Sequence, residues 1–426
     1  MQFYMLLERT RTICSLGLLA GILLLAGCDS TGSGAETDTT FEGRVTDDVG
    51  FSKSADSVEG AVVTATNISA SGSANQIEGE ATTDAEGRFQ LETRDAANEV
   101  ILVAEKTDFR SKVMAYTDGR TAINTMPMTA ETHGEADVFV EARRQDDDDD
   151  VTMSDVAVYV THEFAAEASS DAEAATRIAA AIVAEARARK DYVREESGNE
   201  QVEEARDREN QAFLEFQADI SASAGTSAQT DVVEAFESAL IEAYSDAGVA
   251  IETQARARQA ARAALVRFSS DVSSSARLHL RKQAEVLAAL ATSESIEASF
   301  RAGGATGARI DALEEAQSTF LAELRTASST AAIAEAKAQY EASLHEELAA
   351  EIGVDAEAIA TADAALETAE IALELAVTTA ASASAVAQAH ASFYASAETA
   401  ARTSLAESED AELGASVLTL LTADVD

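Results

Sequence analysis

The residue with the clearest chemistry in this sequence is Cys28, because a cysteine thiol is a nucleophile that can carry an attached lipid. It follows Leu25, Ala26 and Gly27, and the small side chains at 26 and 27 would let an extended backbone fit the groove of a peptidase. The apolar stretch Ile13–Ala26 is too short for a comfortable membrane-spanning helix. A stretch of this kind is typical of the core of a signal peptide, so the pattern indicates export.

Residues 25–28 resemble the lipobox of bacterial lipoproteins, in which the cysteine is lipidated and the chain is cut just before it. The resemblance implies a lipoprotein signal peptide at 1–27 and lipidation, for example with palmitate, at Cys28. Residues 28–39 are rich in Ser, Thr and Gly and are predicted to form a flexible tether. The expected location is the cell envelope, at the outer membrane or the periplasmic face of the inner membrane. The alternative is a plain secretory signal that happens to contain a cysteine.

No other pattern in the sequence marks a catalytic centre. A phosphate-binding Gly loop, a Gly-flanked nucleophilic Ser and a Cys-based metal cluster are all missing. His162-Glu163 and His345-Glu346-Glu347 are the only local hints of acid–base chemistry. We therefore predict a protein that is not an enzyme and that has no cofactor and no metal. The alternative is an enzyme of unknown type in the helical part, which would need a pocket lined by histidines and carboxylates.

The charge of the chain excludes some partners. The formal net charge is −45, from 76 acidic residues against 31 Lys and Arg, and the acidic residues are spread along the sequence. Such a surface repels itself in dilute buffer, whereas salt at 1 M shortens the Debye length to roughly 3 Å and removes most of the repulsion. This favours a surface adapted to high salt, as in a halophile; an acidic mesophilic protein is the alternative. Nucleic acid and anionic lipid head groups are poor partners for it.

Residues 40–143 have the punctuation of a β-sandwich, with short alternating apolar runs separated by Gly- and Asp-containing turns. The continuous apolar run Val100–Val103 indicates a strand that is covered on both faces. Eight segments are predicted as strands, the last of them with less support: Thr40–Thr46, Ala61–Asn67, Gly79–Thr83, Arg88–Thr93, Glu99–Glu105, Ser111–Ala115, Asp137–Glu141 and Asn124–Met128.

Three stretches of this region together resemble the carboxypeptidase regulatory-like domain: Gly43–Val45, Val58–Val63 and Thr83–Phe89. The resemblance implies a transthyretin-like, seven-stranded sandwich that is an accessory module rather than a catalyst. It also implies a hairpin in which Asp84 braces the turn, Gly87 adopts a positive φ and Phe89 enters the core. The zinc peptidase beside which this domain is found needs a His followed three residues later by Glu, and none of the five histidines meets that requirement.

The remainder of the chain is predicted to be an acidic linker at 144–153 and an Ala-rich helical bundle or coiled coil at 154–426, with long antiparallel helices. Two of these helices are expected over 310–352 and 355–406, with Asp355 as the cap of the second, and Ser170–Glu173 has the pattern of a capping box. A calcium site in the acidic run is the alternative, although the spacing of a calcium loop is missing. Glu341 and His345 fall one helical turn apart on the expected core-facing row Leu313–Ile352. We expect His345 at an edge or bonded to Glu341; a ligand or switch role is the other possibility.

These features favour a lipid-anchored protein of the cell envelope with a structural or protein-interaction role and a protein partner of unknown identity. The alternative function is glycan or small-solute binding through the β-sandwich. That alternative requires exposed aromatic side chains that can stack on sugar rings, and the candidates are Phe51, Phe109 and Tyr116.

Overall fold

A computed structural model describes residues 38–47, 56–146, 150–223 and 226–423. Eight strands occupy the first part of the described chain, between residues 39 and 124. They are β1 (Thr39–Arg44), β2 (Val62–Ile68), β3 (Ala74–Gln76), β4 (Ala81–Thr82), β5 (Arg88–Thr93), β6 (Glu99–Lys106), β7 (Phe109–Tyr116) and β8 (Ala122–Asn124).

The strands form two sheets. The three-stranded sheet has the order β5-β1-β8, with β1 antiparallel to β5 and parallel to β8. The five-stranded sheet has the order β3-β2-β6-β7, and β4 also pairs with β2. In β5 the buried Phe89 and Leu91 alternate with exposed Arg88 and Gln90, as a half-buried strand requires. Val100–Leu102 in β6 is buried without alternation, which confirms the prediction of a strand covered on both faces.

The prediction of a strand at Asp137–Glu141 is wrong, because this segment lies within a helix, α1 (Ala130–Gln145). The helix begins at a reciprocal cap in which Thr129 Oγ1 accepts from the Thr132 N–H at 3.2 Å, and Thr132 Oγ1 accepts from the Thr129 N–H at 2.9 Å. Short apolar runs fit a strand or a helix equally well, and here the cap decides. The weaker strand prediction at Asn124–Met128 is also wrong beyond its first residue, since β8 ends there.

The rest of the described chain is helical, as predicted. After α1 come α2 (Met153–Tyr159), α3 (His162–Ser170), α4 (Ala172–Glu196), α5 (Asn199–Ala222), α6 (Thr226–Asp246), α7 (Ile251–Phe268), α8 (Ser274–Gly303), α9 (Gly307–Thr326), α10 (Thr330–Glu351), α11 (Ala356–Thr379), α12 (Ala383–Ser404) and α13 (Ala411–Thr422). The short helix α2 has every residue buried and contacts α1, α4, α5, α6 and α8. It therefore forms the centre around which the first long helices pack.

Two of the helices predicted from the sequence are each divided in the structure. The helix expected over 310–352 is divided into α9 and α10, and the helix expected over 355–406 into α11 and α12. The second helix of each pair begins at a serine, Ser329 or Ser382, whose hydroxyl accepts a hydrogen bond from the backbone N–H three residues further on. A serine that caps a new helix satisfies backbone groups that a continuous helix would otherwise pair internally.

Other helix boundaries follow the sequence more closely. Gly304 adopts the left-handed conformation and ends α8, and Gly353, at φ +71°, ends the turn before α11. The Asp355 carboxylate caps α11 by accepting from the Ala358 N–H at 2.9 Å. The predicted cap at Ser170 is wrong: the cap of α4 is Asp171, which accepts from the Glu173 N–H at 3.0 Å.

In the segment predicted as an acidic linker, at 144–153, the two described aspartates on either side of residues 147–149 form ion pairs with the helices. Asp146 and Asp150 are buried, and their carboxylates lie 3.3 Å from Arg187 and 3.0 Å from Arg194 respectively, both on α4. Just before them, Arg143 on α1 donates to the Glu99 carboxylate of β6 at 2.7 Å. The Arg143–Glu99 pair joins the five-stranded sheet to α1, and the two aspartate pairs join the segment after α1 to α4. The described residues between 38 and 423 form one compact unit.

Candidate functional site

The predicted lipidation site lies outside the described residues, as do Leu25, Ala26 and Gly27. Within the part of the chain that the structure describes, none of the helices has both the length and the apolar character needed to cross a membrane. The candidate sites therefore lie among the described residues from 38 to 423.

The turn between β4 and β5 has a well-defined geometry. Asp84 Oδ1 accepts hydrogen bonds from the backbone N–H groups of Glu86 at 3.0 Å and Arg88 at 2.7 Å. Gly87 has φ +72°, and Phe89 is 5% exposed. A carboxylate that accepts from two backbone donors holds a tight turn, and only glycine adopts this φ without strain.

Replacing Gly87 with alanine should destabilise the protein more than the same change at Gly60. Both glycines have a positive φ, +72° and +74°, so both variants incur the same backbone cost of about 1 kcal/mol. A Cβ at Gly87 would in addition come 2.4 Å from the Val45 carbonyl oxygen, whereas a Cβ at Gly60 meets no atom within 4 Å. Urea unfolding of the two variants measures the difference in their free energies of unfolding. Equal losses would show that the turn accommodates a Cβ at residue 87 at no further cost.

A groove of about 840 Å³ lies over the outward face of the three-stranded sheet, beside this turn. Its charged lining residues are Glu42, Arg44, Asp84 and Arg88, so its positive and negative charges are equal in number. Arg44 is held in place, since its Nε donates to the Glu86 carbonyl at 3.0 Å and a terminal nitrogen donates to Ser57 Oγ at 2.7 Å. The groove can offer hydrogen bonds to a polar solute.

The aromatic residues needed for sugar stacking are not displayed together in the described sheets. Tyr116 is 7% exposed, and burial, followed by the nearby Asp118 carboxylate, raises the pKa of its hydroxyl. Phe109 is partly buried and packs against the core, and Phe51 lies outside the described residues. Phe41 and Phe89 are buried. The described residues thus provide no exposed aromatic platform for a glycan.

Glu341 and His345 line a cleft of about 330 Å³ between α10 and α11. His345 Nδ1 lies 3.7 Å from the Asp363 carboxylate of α11, so the partner of this histidine is Asp363 rather than the expected Glu341. Burial, followed by the charges of Asp363 and Glu370, raises the pKa of Glu341 to about 7. No three His, Cys, Asp or Glu residues of the described chain are arranged to hold a metal ion. The cleft is therefore an acidic surface with one carboxyl that titrates near neutrality.

A group of buried charges lies inside the helical region of the described chain, where the sequence did not predict it. Arg189 of α4 is 1% exposed and is paired with the carboxylates of Asp155, Glu185 and Glu209, which come from α2, α4 and α5. Lys190, also buried, lies 3.2 Å from Glu209. The group is completed by buried residues of α6 and α7, Tyr244 and Arg258.

This buried group, which we call the Arg189 network, has balanced charge. Arg189, Lys190 and Arg258 supply three positive charges, and Asp155, Glu185 and Glu209 supply three negative ones. Each of these six residues is at most 4% exposed. The Glu185–Arg189 spacing of four residues was the one local signal in the sequence. The network joins five helices and has no access for a substrate.

A second buried polar group surrounds His390 on α12. Its side chain is fully buried, and neither ring nitrogen has a hydrogen-bond partner in the described chain. One turn further on, the Tyr394 hydroxyl is likewise buried without a partner, while the Arg256 guanidinium lies over the Tyr394 ring at 4.6 Å. Burial, followed by the positive charge of Arg262, lowers the pKa of His390 to about 3. This histidine is neutral in the folded protein.

Comparison with known proteins adds no family to this geometry. The chain matches no family model, and neither a curated protein nor a solved structure matches it. The functional argument therefore depends on the residues themselves.

Proposed function

We propose that this protein is a lipid-anchored protein of the cell envelope, with a structural or protein-interaction role and no catalytic activity. The observation that carries the proposal is the sequence Leu25-Ala26-Gly27-Cys28 after an apolar stretch of signal-peptide length. Residues 28–39 would serve as the tether between the acylated Cys28 and the first strand.

The construction of the body supports a structural role. Its sheets and helices are joined by buried ion pairs, among them Arg143–Glu99, and its largest charged cluster is the enclosed Arg189 network. Charges that are buried and paired across several helices fix the relative positions of those helices, and they are not exposed to a substrate. A rigid body on a flexible tether is suited to holding a partner at a distance from the membrane.

The proposal includes a surface adapted to high salt and a sheet region of the carboxypeptidase regulatory-like kind. A net charge of −45 supports the first, since such repulsion is relieved when salt screens it. The Asp84–Gly87 turn and the core position of Phe89 support the second. Binding of a small polar solute is a second candidate function, favoured by the polar groove over the three-stranded sheet.

The anchor is tested by comparing the two cysteines of the chain. When the protein is expressed in a bacterium that processes lipoproteins, we expect a C28S variant to lose incorporated palmitate and to leave the detergent phase. The matched C14S variant should keep both properties, because Cys14 lies in the part that is removed. Mass spectrometry of the mature protein should find residue 28 at the N-terminus with its sulfur acylated. Unchanged palmitate incorporation in C28S, or a mature chain beginning before residue 28, would overturn the proposal.

A further inference from the structure

A second groove, of about 480 Å³, lies between the outward face of the five-stranded sheet and the helices α1, α3 and α4. Its floor is apolar and is built from strands and helices together: Ile68, Ile101, Val103, Val140 and Ala168. Val103 and Val140 are only partly buried, so the floor is accessible in part. A concave surface of this volume with an apolar floor is of the size that small amphipathic molecules occupy.

Basic residues outnumber acidic ones in the lining of this groove, with Arg110, Lys112 and Arg144 against Asp137 and Glu141. Glu105, which pairs with Arg110 at 3.1 Å, lies outside the lining. The groove over the three-stranded sheet is neutral, and the cleft beside Glu341 is negative. A third surface, between α9 and α10, is lined by four glutamates and by no basic residue. The whole chain has 76 acidic and 31 basic residues, so a groove lined by more basic than acidic residues differs from the chain's overall composition.

The basic side chains of the rim are held in position. Lys112 is bonded to the Asp137 carboxylate, and His133 Nε2 lies 3.3 Å from the other oxygen of that carboxylate. Burial opposes ionisation of Asp137, but the hydrogen bonds from His133 and Lys112 outweigh burial and lower the Asp137 pKa. Both oxygens of this carboxylate are therefore occupied by Lys112 and His133.

Arg144 and Arg110 remain able to contact a ligand. Gly72, at φ +68°, packs against the stem of Arg144, since a Cβ at residue 72 would lie 2.6 Å from the Arg144 Cγ. The side chains of Arg110 and Arg144 are 57% and 51% exposed, so their ion pairs with Glu105 and Glu141 are open to solvent, where such pairs are weak. A guanidinium has five donors, so each arginine has donors left over for an anion.

We propose that this groove binds an amphipathic carboxylate with a single unbranched hydrocarbon chain. The chain would lie on the Val103–Val140 floor, and the carboxylate would accept hydrogen bonds from Arg110 and Arg144. The inference goes beyond the proposed function and does not depend on the membrane anchor. Because the protein as a whole repels anions, binding of such a ligand requires a local site of this kind.

The test compares two probes that share a decyl chain and differ in charge, decanoate and decyltrimethylammonium. Isothermal titration calorimetry uses the full chain carrying C28S, so that no attached acyl chain competes for the groove. Non-specific attraction to an acidic protein favours the cation, whereas the groove predicts saturable one-to-one binding of decanoate. Binding of decanoate that is weaker than that of the cation, or that does not saturate, would overturn the proposal.

Location is tested with matched variants. R110Q/R144Q should weaken decanoate binding about tenfold or more, because two charge-assisted hydrogen bonds are lost. R208Q/R402Q changes the net charge equally at two exposed arginines on other surfaces and should leave the affinity within about twofold. In methyl-labelled protein, decanoate should shift the signals of Ile101, Val103 and Val140. Equal effects of the two double variants, or shifts confined to other methyl groups, would place the ligand elsewhere and refute the inference.

Discussion

An R189M variant should lose about 3–5 kcal/mol of unfolding free energy, or fail to fold, although methionine is apolar and of comparable length. Arg189 balances three buried carboxylates, and without it Asp155, Glu185 and Glu209 face only Lys190 and Arg258. A buried charge that loses its partner bears the full cost of its removal from water. Urea unfolding followed by circular dichroism at neutral pH, in concentrated KCl, measures the loss.

The acid Asp155 shows how strongly the network is coupled. Burial alone would raise the pKa of its carboxyl, but the charges of Arg189 and Lys190 outweigh burial and hold that pKa well below its ordinary value. A carboxyl with a lowered pKa stabilises the fold above its unfolded-state pKa, and this stabilisation is lost as the pH falls through the folded-state value. Of these two charges, that of Arg189 has the larger effect on the Asp155 pKa, and R189M removes it.

The matched control is R208M on α5, where Arg208 is 47% exposed and pairs with Glu204 at 2.8 Å. An exposed pair within one helix contributes little, so this variant should lose less than about 1 kcal/mol. If R189M does not fold, E209Q keeps the shape of the side chain and removes one charge, and should show an intermediate loss. Equal losses in R189M and R208M would mean that the Arg189 network contributes no more than a surface ion pair.

Features set by neighbouring residues could be predicted from this sequence. Asp84 and Gly87 form a turn within four residues, and Asp355 caps a helix through a backbone group three residues away. The breaks at Ser329 and Ser382 were missed although they are equally local. In an alanine-rich helix a single serine costs little, and only packing of the two resulting helices decides whether it becomes a cap.

Features that join distant residues could not be predicted. Arg189 meets Asp155 across 34 residues and Glu209 across 20, on three different helices. Nothing in the local sequence distinguishes these residues from the other charged residues of a chain with a net charge of −45. The groove beside Val103 and Val140 is of the same kind, since Arg110 comes from a strand and Arg144 from α1, at a position predicted to begin the acidic linker. Tertiary packing alone brings them to one rim.

Acid should destabilise the protein through His390, and this is the second large effect that we expect. The unfolded chain binds a proton at this residue near its ordinary pKa of 6.5, whereas in the folded chain burial, with the nearby charge of Arg262, lowers the pKa to about 3. Between these two pH values the unfolded state binds a proton that the folded state does not bind. The contribution of neutral His390 to the free energy of unfolding is therefore fully present above pH 6.5, and below that pH it falls by up to about 1.4 kcal/mol per pH unit. Glu341, with a pKa of about 7, acts in the opposite sense over part of this range.

Comparison of variants isolates the histidine from the other titrating groups. H390L cannot be protonated, so its unfolding free energy should rise relative to that of the natural chain by about 2 kcal/mol when the pH is lowered from 7 to 5. F393L changes a buried neighbour that does not titrate and should be destabilised by the same amount at both pH values. The unpartnered ring nitrogens are essential to this expectation, because a hydrogen-bond acceptor beside either of them would stabilise the protonated ring. If the free energies of unfolding of H390L and the natural chain change in parallel between pH 5 and 7, His390 is protonated in the folded state at little cost. Its side chain would then be in contact with water rather than buried among the helices.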